Sequence, residues 1–228
     1  MVFTSNRKYN GRDLNGSNVI ITLIDSGVLI NNCFFNDPNY PKVTFNTTDV
    51  NHRKIVRYDI FTNNNFFKSV RHGTHYDIIP LSSTDTIPLN LYNGHAPGAK
   101  IYVGDIGIDE EESIGVSFTF NIFEQSKILN SPIISCSCGD PDTTPELTHM
   151  IDYLSYENPS QLFVFAAGNE NFYYRIGSPG ISKNVLTVTS SDPPRSYYLS
   201  DSTHVINIVA GNAFLVVSSP NFFSAMKR

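Results

Sequence analysis

Seven apolar, β-branched runs recur along this 228-residue chain, and they constrain its fold more than any other feature. Several runs are continuous rather than alternating in polarity, which is typical of strands that are covered on both faces of a parallel sheet. We predict strands at residues 18–25, 54–61, 100–106, 132–137, 161–167, 184–189 and 204–209.

Two stretches between these runs have helical periodicity. Residues 145–156 place Leu147, Ile151 and Leu154 on one stripe. Residues 110–129 open with acidic residues that suit the positive end of a helix, and their apolar stripe consists of Ile114, Phe118 and Ile122. Strands that alternate with helices predict a three-layer α/β/α fold around a largely parallel central sheet. We expect one domain over residues 1–228, with the Asn-, Pro- and Asp-rich residues 31–51 as a long surface excursion.

The composition argues against a nucleic-acid partner and against a membrane-spanning segment. The net charge is -5 and the basic residues are scattered, so no stripe of them follows a phosphate backbone and no nucleic acid is expected. The apolar runs are too short to span a membrane. The first ten residues lack the apolar core of a secretory signal, so either the chain stays where it is made or it begins downstream of its true N-terminus.

The chain has three cysteines, Cys33, Cys136 and Cys138, and this low, odd number is not a disulfide framework. Cys136 and Cys138 lie two apart on a predicted strand, a geometry that resists bridging. We expect them to be small buried hydrophobic residues. A metal-binding pair is the alternative, but it lacks a second ligand pair at zinc-finger spacing.

Three polar residues follow or flank apolar runs and are candidates for catalysis. Asp25 ends the run 18–25 and is followed by Ser26 and Gly27, which allow a sharp turn at the sheet edge where open α/β folds bind ligands. His72 stands in Arg71-His72-Gly73-Thr74-His75, and an imidazole suits a general base because its unperturbed pKa lies near neutrality. Asn169 ends Ala166-Ala167-Gly168-Asn169, where its amide could donate to an oxyanion.

Each of these segments also has a plainer interpretation. An aspartate at a strand end is more often a turn residue or a helix cap than a catalyst, and an asparagine after glycine is often simply a turn residue. His72 and His75 are three apart and could instead bind a metal on one helix face, although no third ligand at matching spacing is found.

Taken together, these segments resemble in order and in sequence the motifs of the subtilase family of subtilisin-like serine peptidases. That family has D-[ST]-G at its aspartate, H-G-T-H at its histidine and A-[AS]-G-N at its oxyanion asparagine, in that order. Further similar blocks stand at residues 93–101 (NGHAPGAKI), 135–139 (SCSCG) and 177–188 (GSPGISKNVLTV). Within the family, residues 25–35 and 104–107 are most similar to the large Kp43-like branch.

The resemblance implies a subtilisin-like fold and a serine endopeptidase that acts on peptides or proteins. Asp25 would orient His72 and stabilise its charged form, His72 would act as general base and acid, and Asn169 would donate to the tetrahedral oxyanion. Ser137, Cys138 and Gly139 would pair with the substrate backbone as an edge strand. Members of the family are often secreted.

The family's nucleophile block, G-T-S-[MA]-[AS]-x-P, has no counterpart after Thr189. Ser218, Ser219 and Ser224 are late serines without a preceding Gly-Thr. We therefore expect a domain that is incomplete at its C-terminus, a fragment that is inactive alone. The alternative function is a catalytically dead subtilase-like protein that binds peptides.

Neither a cofactor nor a catalytic metal is expected. Subtilases often bind calcium, and Asp140, Asp142 and Glu146 form an acidic cluster that could hold a structural calcium ion. Their order does not fit an EF-hand loop, and a solvated turn with a helix N-cap is the preferred interpretation.

Overall fold

The computed structural model describes residues 8–61, 72–74, 81, 83, 93–107, 120–140, 144–168, 176–189, 205–210 and 213–218. Contacts within the chain divide it into two compact units, Met1–Ser137 and Cys138–Arg228. The predicted strands and helices that fall on described residues can be compared with the structure unit by unit.

The first unit is built on four parallel strands. These follow a short antiparallel ribbon of β1 (Lys8–Tyr9) and β2 (Arg12–Asp13). The strands are β3 (Ile20–Asp25), β4 (Ile55–Ile60), β5 (Lys100–Asp105) and β6 (Ile133–Cys136), adjacent in the order β4-β5-β3-β6. All four were predicted, and every pairing among them is parallel. Their carboxyl ends therefore meet at one edge of the sheet.

One face of this sheet is covered by helix α1 (Phe120–Ile128). The hydroxyls of Thr22 on β3 and Ser126 on α1 are hydrogen-bonded at 2.8 Å, and Ile122 lies next to Gly104 of β5. The predicted helix 110–129 is described only from Phe120 onward, so the first half of that prediction lies outside the described residues. Ile122 is fully buried, as its place on the predicted stripe required.

The opposite face carries an apolar core that includes Leu23, Val103 and the fully buried Tyr58. Phe35 belongs to this core with no exposed surface, and Val43 and Phe45 pack against it. The prediction that residues 31–51 form a surface excursion was therefore wrong for Phe35, Val43 and Phe45, whereas Tyr40 and Val50 are exposed as expected. The many Asn, Pro and Asp residues of this segment are typical of a surface loop, but a few apolar residues among them cover the sheet.

Lys54 is buried in the first unit with 1% of its surface exposed. Its ammonium donates hydrogen bonds to the carbonyl oxygens of Pro97 at 2.9 Å and Ala99 at 2.5 Å. Burial, together with the nearby charge of Arg53, lowers the pKa of Lys54 to about 7. Neutral and charged forms are thus balanced near physiological pH.

We expect the free energy of unfolding to increase with pH above about 7 because of Lys54. The unfolded chain keeps a lysine pKa near 10.4, so between these two values it binds more protons than the folded chain, and stability increases with pH. The increase should amount to a few kcal/mol between pH 7 and pH 9.5. Urea unfolding of the native chain and of Lys54→Met across this range measures it. An equal slope in both proteins would contradict the assignment to Lys54.

The second unit contains β7 (Leu162–Ala166) and β8 (Leu186–Val188), which are parallel, and helix α2 (Pro145–Glu157). The α2 prediction is confirmed, and Leu147, Ile151 and Leu154 are buried along one stripe. Asp152 anchors the loop before β8 by accepting backbone N–H bonds from Lys183 and Asn184 at 2.7 and 3.0 Å. None of the helices in the described ranges is both long and apolar enough to cross a membrane.

The second unit also contains an antiparallel hairpin of β9 (Val205–Ala210) and β10 (Ala213–Ser218). The strand predicted at 204–209 corresponds to β9, but β10 was not predicted. Residues 213–217, AFLVV, carry the apolar and β-branched side chains that favour strands, so the signal was present.

Candidate active site

Asp25 is held at the carboxyl end of β3, the strand flanked by both β5 and β6. The last four residues of β3 are buried, and Asp25 is 3% exposed. Its backbone carbonyl accepts the N–H of Ile106 at 2.9 Å, which continues the pairing with β5 past the strand end. The carboxylate is therefore fixed at the sheet edge.

Gly27 makes the turn after Asp25 possible. Its φ of +83° lies in the left-handed region that residues with a side chain rarely adopt. A Cβ atom on Gly27 would also meet the hydroxyl of Tyr58 and the carboxylate of Asp105. The glycine is thus required both by the backbone conformation and by the space available.

Residues 72–74 are helical and are attached to this turn by three hydrogen bonds. His72 Nδ1 lies 2.7 Å from Asp25 Oδ1, and the N–H of Gly73 donates to Ser26 Oγ at 3.2 Å. The N–H of Leu29 donates to Thr74 Oγ1 at 2.7 Å. Each residue of the His-Gly-Thr segment thus has a distinct contact with residues 25–29.

Gly73 is in close contact with the backbone of the turn. A Cβ atom on Gly73 would meet the carbonyl oxygen of Gly27 and would lie 3.2 Å from Asp25 Oδ1. Only a residue without a side chain lets this helical segment come near enough for His72 to reach Asp25.

The paired carboxylate and imidazole have the geometry of a base and its orienting group. The Asp25 side chain is 4% exposed, whereas 23% of the His72 side chain is accessible. A buried carboxylate at Nδ1 fixes the ring orientation and stabilises the imidazolium. The expected hydrogen-bond contact between Asp25 and His72 is present.

A second carboxylate, Asp105, lies next to this pair at the end of β5. It is in register with Asp25 on β3. Asp105 accepts hydrogen bonds from the Tyr58 hydroxyl at 2.9 Å and from the N–H of Gly107 at 3.0 Å. Burial and the negative charge of Asp25 raise the pKa of Asp105 above its usual range, against the opposing effect of these two donors.

The subtilase family model matches residues 16–215, most of the chain. The chain belongs to the subtilase family. The family-level prediction of a hydrolase of the serine protease type is thereby confirmed.

Relatives of this subtilase include two proteins of Dictyostelium discoideum. The serine protease/ABC transporter B family protein tagA is 29% identical over 196 residues, which cover 82% of this chain and 11% of the relative. The corresponding protein tagD is 26% identical over 204 residues, covering 85% of this chain and 11% of the relative. The subtilase chain therefore spans about a tenth of the length of these curated relatives.

Two solved protease structures share the fold. The CspB protease of Clostridium perfringens superposes with a TM-score of 0.50 at 16% identity, covering 70% of this subtilase and 37% of that chain. A mutant of the protease domain of PatA superposes with a TM-score of 0.54 at 21% identity, covering 79% and 60% respectively. These similarities confirm the subtilisin-like three-layer α/β/α fold class.

Of the three candidate catalytic residues, the structure brings Asp25 and His72 together. Asn169 lies outside the described residues, as does His75 of the alternative metal-binding interpretation. Sequence reasoning gave no role to Tyr58 or Asp105. Asp105 ends an apolar strand run as Asp25 does, and this shared position is the signal that could have identified it.

Ser137, Cys138 and Gly139 follow β6 and are not part of a strand. Ser137 is half-buried, Cys138 is buried and Gly139 is exposed. Cys136 and Cys138 are disulfide-bonded, and Cys33 is the free, exposed cysteine. The expectation that strand geometry would prevent bridging was wrong, because β6 ends at Cys136 and Cys138 lies beyond the regular strand.

Asp140 takes part in a turn contact. Its backbone pairs with that of Ser178 in both directions at 2.7 and 3.0 Å, and its carboxylate accepts a bond from the Thr144 hydroxyl at 2.6 Å. Glu146 is exposed in the first turn of α2, and Asp142 lies outside the described residues. Within the described ranges, no three or more His, Cys, Asp or Glu side chains are grouped to hold a metal ion.

Ser218, the first of the three late serines, is the last residue of strand β10. Ser219 and Ser224 lie outside the described residues.

Proposed function

We propose that this chain supplies the aspartate and histidine of a subtilisin-like serine endopeptidase of the Kp43-like branch. The observation that carries the proposal is the 2.7 Å contact between Asp25 Oδ1 and His72 Nδ1 at the carboxyl edge of a parallel sheet, in a chain of the subtilase family. The substrate class is peptides or proteins.

His72 is the general base in this proposal. With one ring nitrogen bonded to Asp25, it would take the proton of a serine hydroxyl at the other nitrogen as the serine attacks the scissile carbonyl. It would then return that proton to the leaving amine. Asp25 accepts the hydrogen bond from Nδ1–H throughout, which holds the tautomer and stabilises the imidazolium.

The remaining roles rest on motif matches. Asn169 would donate its side-chain amide to the oxyanion of the tetrahedral intermediate. Ser137, Cys138 and Gly139 would offer backbone groups to an extended substrate, as an edge strand does. The chemistry requires no cofactor.

The nucleophile is the part that the printed sequence lacks, because it contains no Gly-Thr-Ser segment. We propose that the active protein carries this segment outside these 228 residues. The lack of a Gly-Thr-Ser segment equally supports the alternative, a subtilase that binds peptides without hydrolysing them. The two functions differ in whether any product of the gene cleaves peptides.

Hydrolysis of a quenched fluorescent peptide library by the longest product of the gene tests the proposal. We expect Asp25→Asn and His72→Ala each to lower kcat/KM by about 10⁴-fold or more, the size seen when triad members are removed from serine proteases. His149→Ala, on the exposed side of α2, is the matched control and should leave kcat/KM unchanged. Equal activity of the Asp25, His72 and His149 variants would refute the catalytic assignment.

A further inference from the structure

We propose that Asp105 is a positioning residue for the Asp25–His72 pair, which fixes the turn at residues 25–27 and adds a second negative charge beside Asp25. This inference rests on the proposed function, since it concerns the same histidine. Asp105 is the last residue of strand β5, and the proposed mechanism gives it no role.

The turn rests directly on Asp105 and its partner Tyr58. The Tyr58 hydroxyl accepts the N–H of Val28 at 3.2 Å and donates to Asp105 Oδ2 at 2.9 Å. Both groups occupy the space where a side chain on Gly27 would stand. Tyr58 is fully buried, so this pair is a rigid support beneath the turn.

Asp105 also holds Gly107, which is close to the residue that links Asp25 to the helical segment. Its Oδ1 accepts the N–H of Gly107, and a Cβ atom on Gly107 would lie 3.3 Å from the Cα of Ser26. The N–H of Ser26 donates to Asp25 Oδ1 at 2.6 Å, and its hydroxyl accepts from Gly73. Asp105 is therefore linked to the turn through Tyr58 and Val28, and Ser26 of the same turn is bonded to Asp25 and to the helical segment.

Asp105 influences His72 through its negative charge in addition to its contacts with the turn. Both of its described partners are donors, which favour the ionised carboxylate and oppose the rise in the pKa of Asp105 that burial and the charge of Asp25 cause. Adjacent strands are about 4.8 Å apart, and the side chains of a register pair share a face of the sheet, so the carboxylates of Asp25 and Asp105 are neighbours at the sheet edge, and Asp25 is bonded to His72. A second anion next to Asp25 stabilises the imidazolium form of His72 relative to the neutral imidazole.

The titratable groups around Asp105 in the described residues come from three elements. Asp25 stands on β3, Tyr58 on β4, and His72 in the helical segment. A separate group is formed by Asp59, which accepts hydrogen bonds from Arg57 at 2.8 Å and from Tyr102 at 3.0 Å. Because Tyr58 and Asp59 are consecutive on β4, their side chains point to opposite faces of the sheet.

Asp59 therefore provides a matched control. It is a buried carboxylate that follows Tyr58 on β4, and its side chain lies on the opposite face of the sheet. The test is an NMR titration of the His72 imidazole, using its ring ¹³C and ¹⁵N shifts, in the native 228-residue chain and in Asp105→Asn, Tyr58→Phe, Asp59→Asn and Asp25→Asn. A merely structural role would lower stability in several variants without moving this titration.

We expect Asp105→Asn to lower the His72 pKa by about half a unit to one unit, the effect of removing one nearby charge. Tyr58→Phe should lower it less, Asp59→Asn should leave it unchanged, and Asp25→Asn should lower it most. A folded Asp105→Asn protein with an unchanged His72 titration would overturn the proposal. If Asp25→Asn also had no effect, the Asp25–His72 arrangement itself would fail, so the two failures are distinguishable.

A second measurement decides the matter if Asp105→Asn does not fold. In the native chain, the side-chain carboxyl ¹³C signal of Asp105 should show a second inflection at the pH where His72 titrates, because coupled groups report each other's ionisation. An Asp105 signal that follows a single transition, with no inflection at the His72 pKa, would equally overturn the proposal.

Discussion

The 228-residue chain is expected to remain unlabelled by a fluorophosphonate probe and to hydrolyse no peptide, although Asp25 and His72 are in contact. The reason is chemical: a general base without a nucleophilic serine can at most assist water. In subtilisin, loss of the serine alone lowers kcat by about 2 × 10⁶. Mass spectrometry of the probe-treated chain, with subtilisin as the reactive control, measures the labelling.

A longer gene product that carries a Gly-Thr-Ser segment should behave in the opposite way. We expect stoichiometric labelling at that serine and loss of labelling in His72→Ala. Stoichiometric labelling of the 228-residue chain at Ser218, Ser219 or Ser224 would contradict the prediction and would show a rearranged nucleophile. A longer product that binds peptides and never reacts would instead favour the peptide-binding alternative.

Gly73→Ala is expected to separate His72 from Asp25 and to destabilise the chain by about 2 to 3 kcal/mol, the usual range for forcing an atom into a packed site. The new methyl group would meet the carbonyl oxygen of Gly27, a backbone atom that cannot rotate away. The helical segment must then move outward, and the contact at Nδ1 lengthens. Urea unfolding gives the loss of stability, and the His72 ring ¹⁵N shifts report the loss of the hydrogen bond.

Gly104→Ala is the matched control for this substitution. Gly104 is also buried on the sheet, but the nearest neighbour of a Cβ atom there would be Ile122 Cγ2 at 3.4 Å, which is an ordinary van der Waals distance. We expect a change within about 1 kcal/mol, because a compatible Gly→Ala change also removes entropy from the unfolded chain. If Gly73→Ala and Gly104→Ala behaved alike, the close approach of residues 72–74 to the turn would be refuted.

Much of the fold could be predicted because the apolar runs are long and continuous. The strands 18–25, 54–61 and 100–106 needed only local information, since burial on both faces selects β-branched residues throughout the strand. Helix α2 was equally predictable from the spacing of Leu147, Ile151 and Leu154. Strand β10 was not predicted although its side chains favour a strand, and its pairing with β9 is a tertiary relation that the run itself does not specify.

The sequence by itself determined the family, the two residues Asp25 and His72, and the absence of a Gly-Thr-Ser segment from the printed chain. It could do so because a motif preserves the residue types that a reaction needs in a fixed order. Only the tertiary structure decided that Gly73 and Gly27 are in contact, that Phe35 covers the sheet and that Tyr58 and Asp105 are hydrogen-bonded to each other beside the turn at residues 25–27. These are relations between residues about 30 to 80 positions apart, and they depend on strand order and register, which no local pattern encodes.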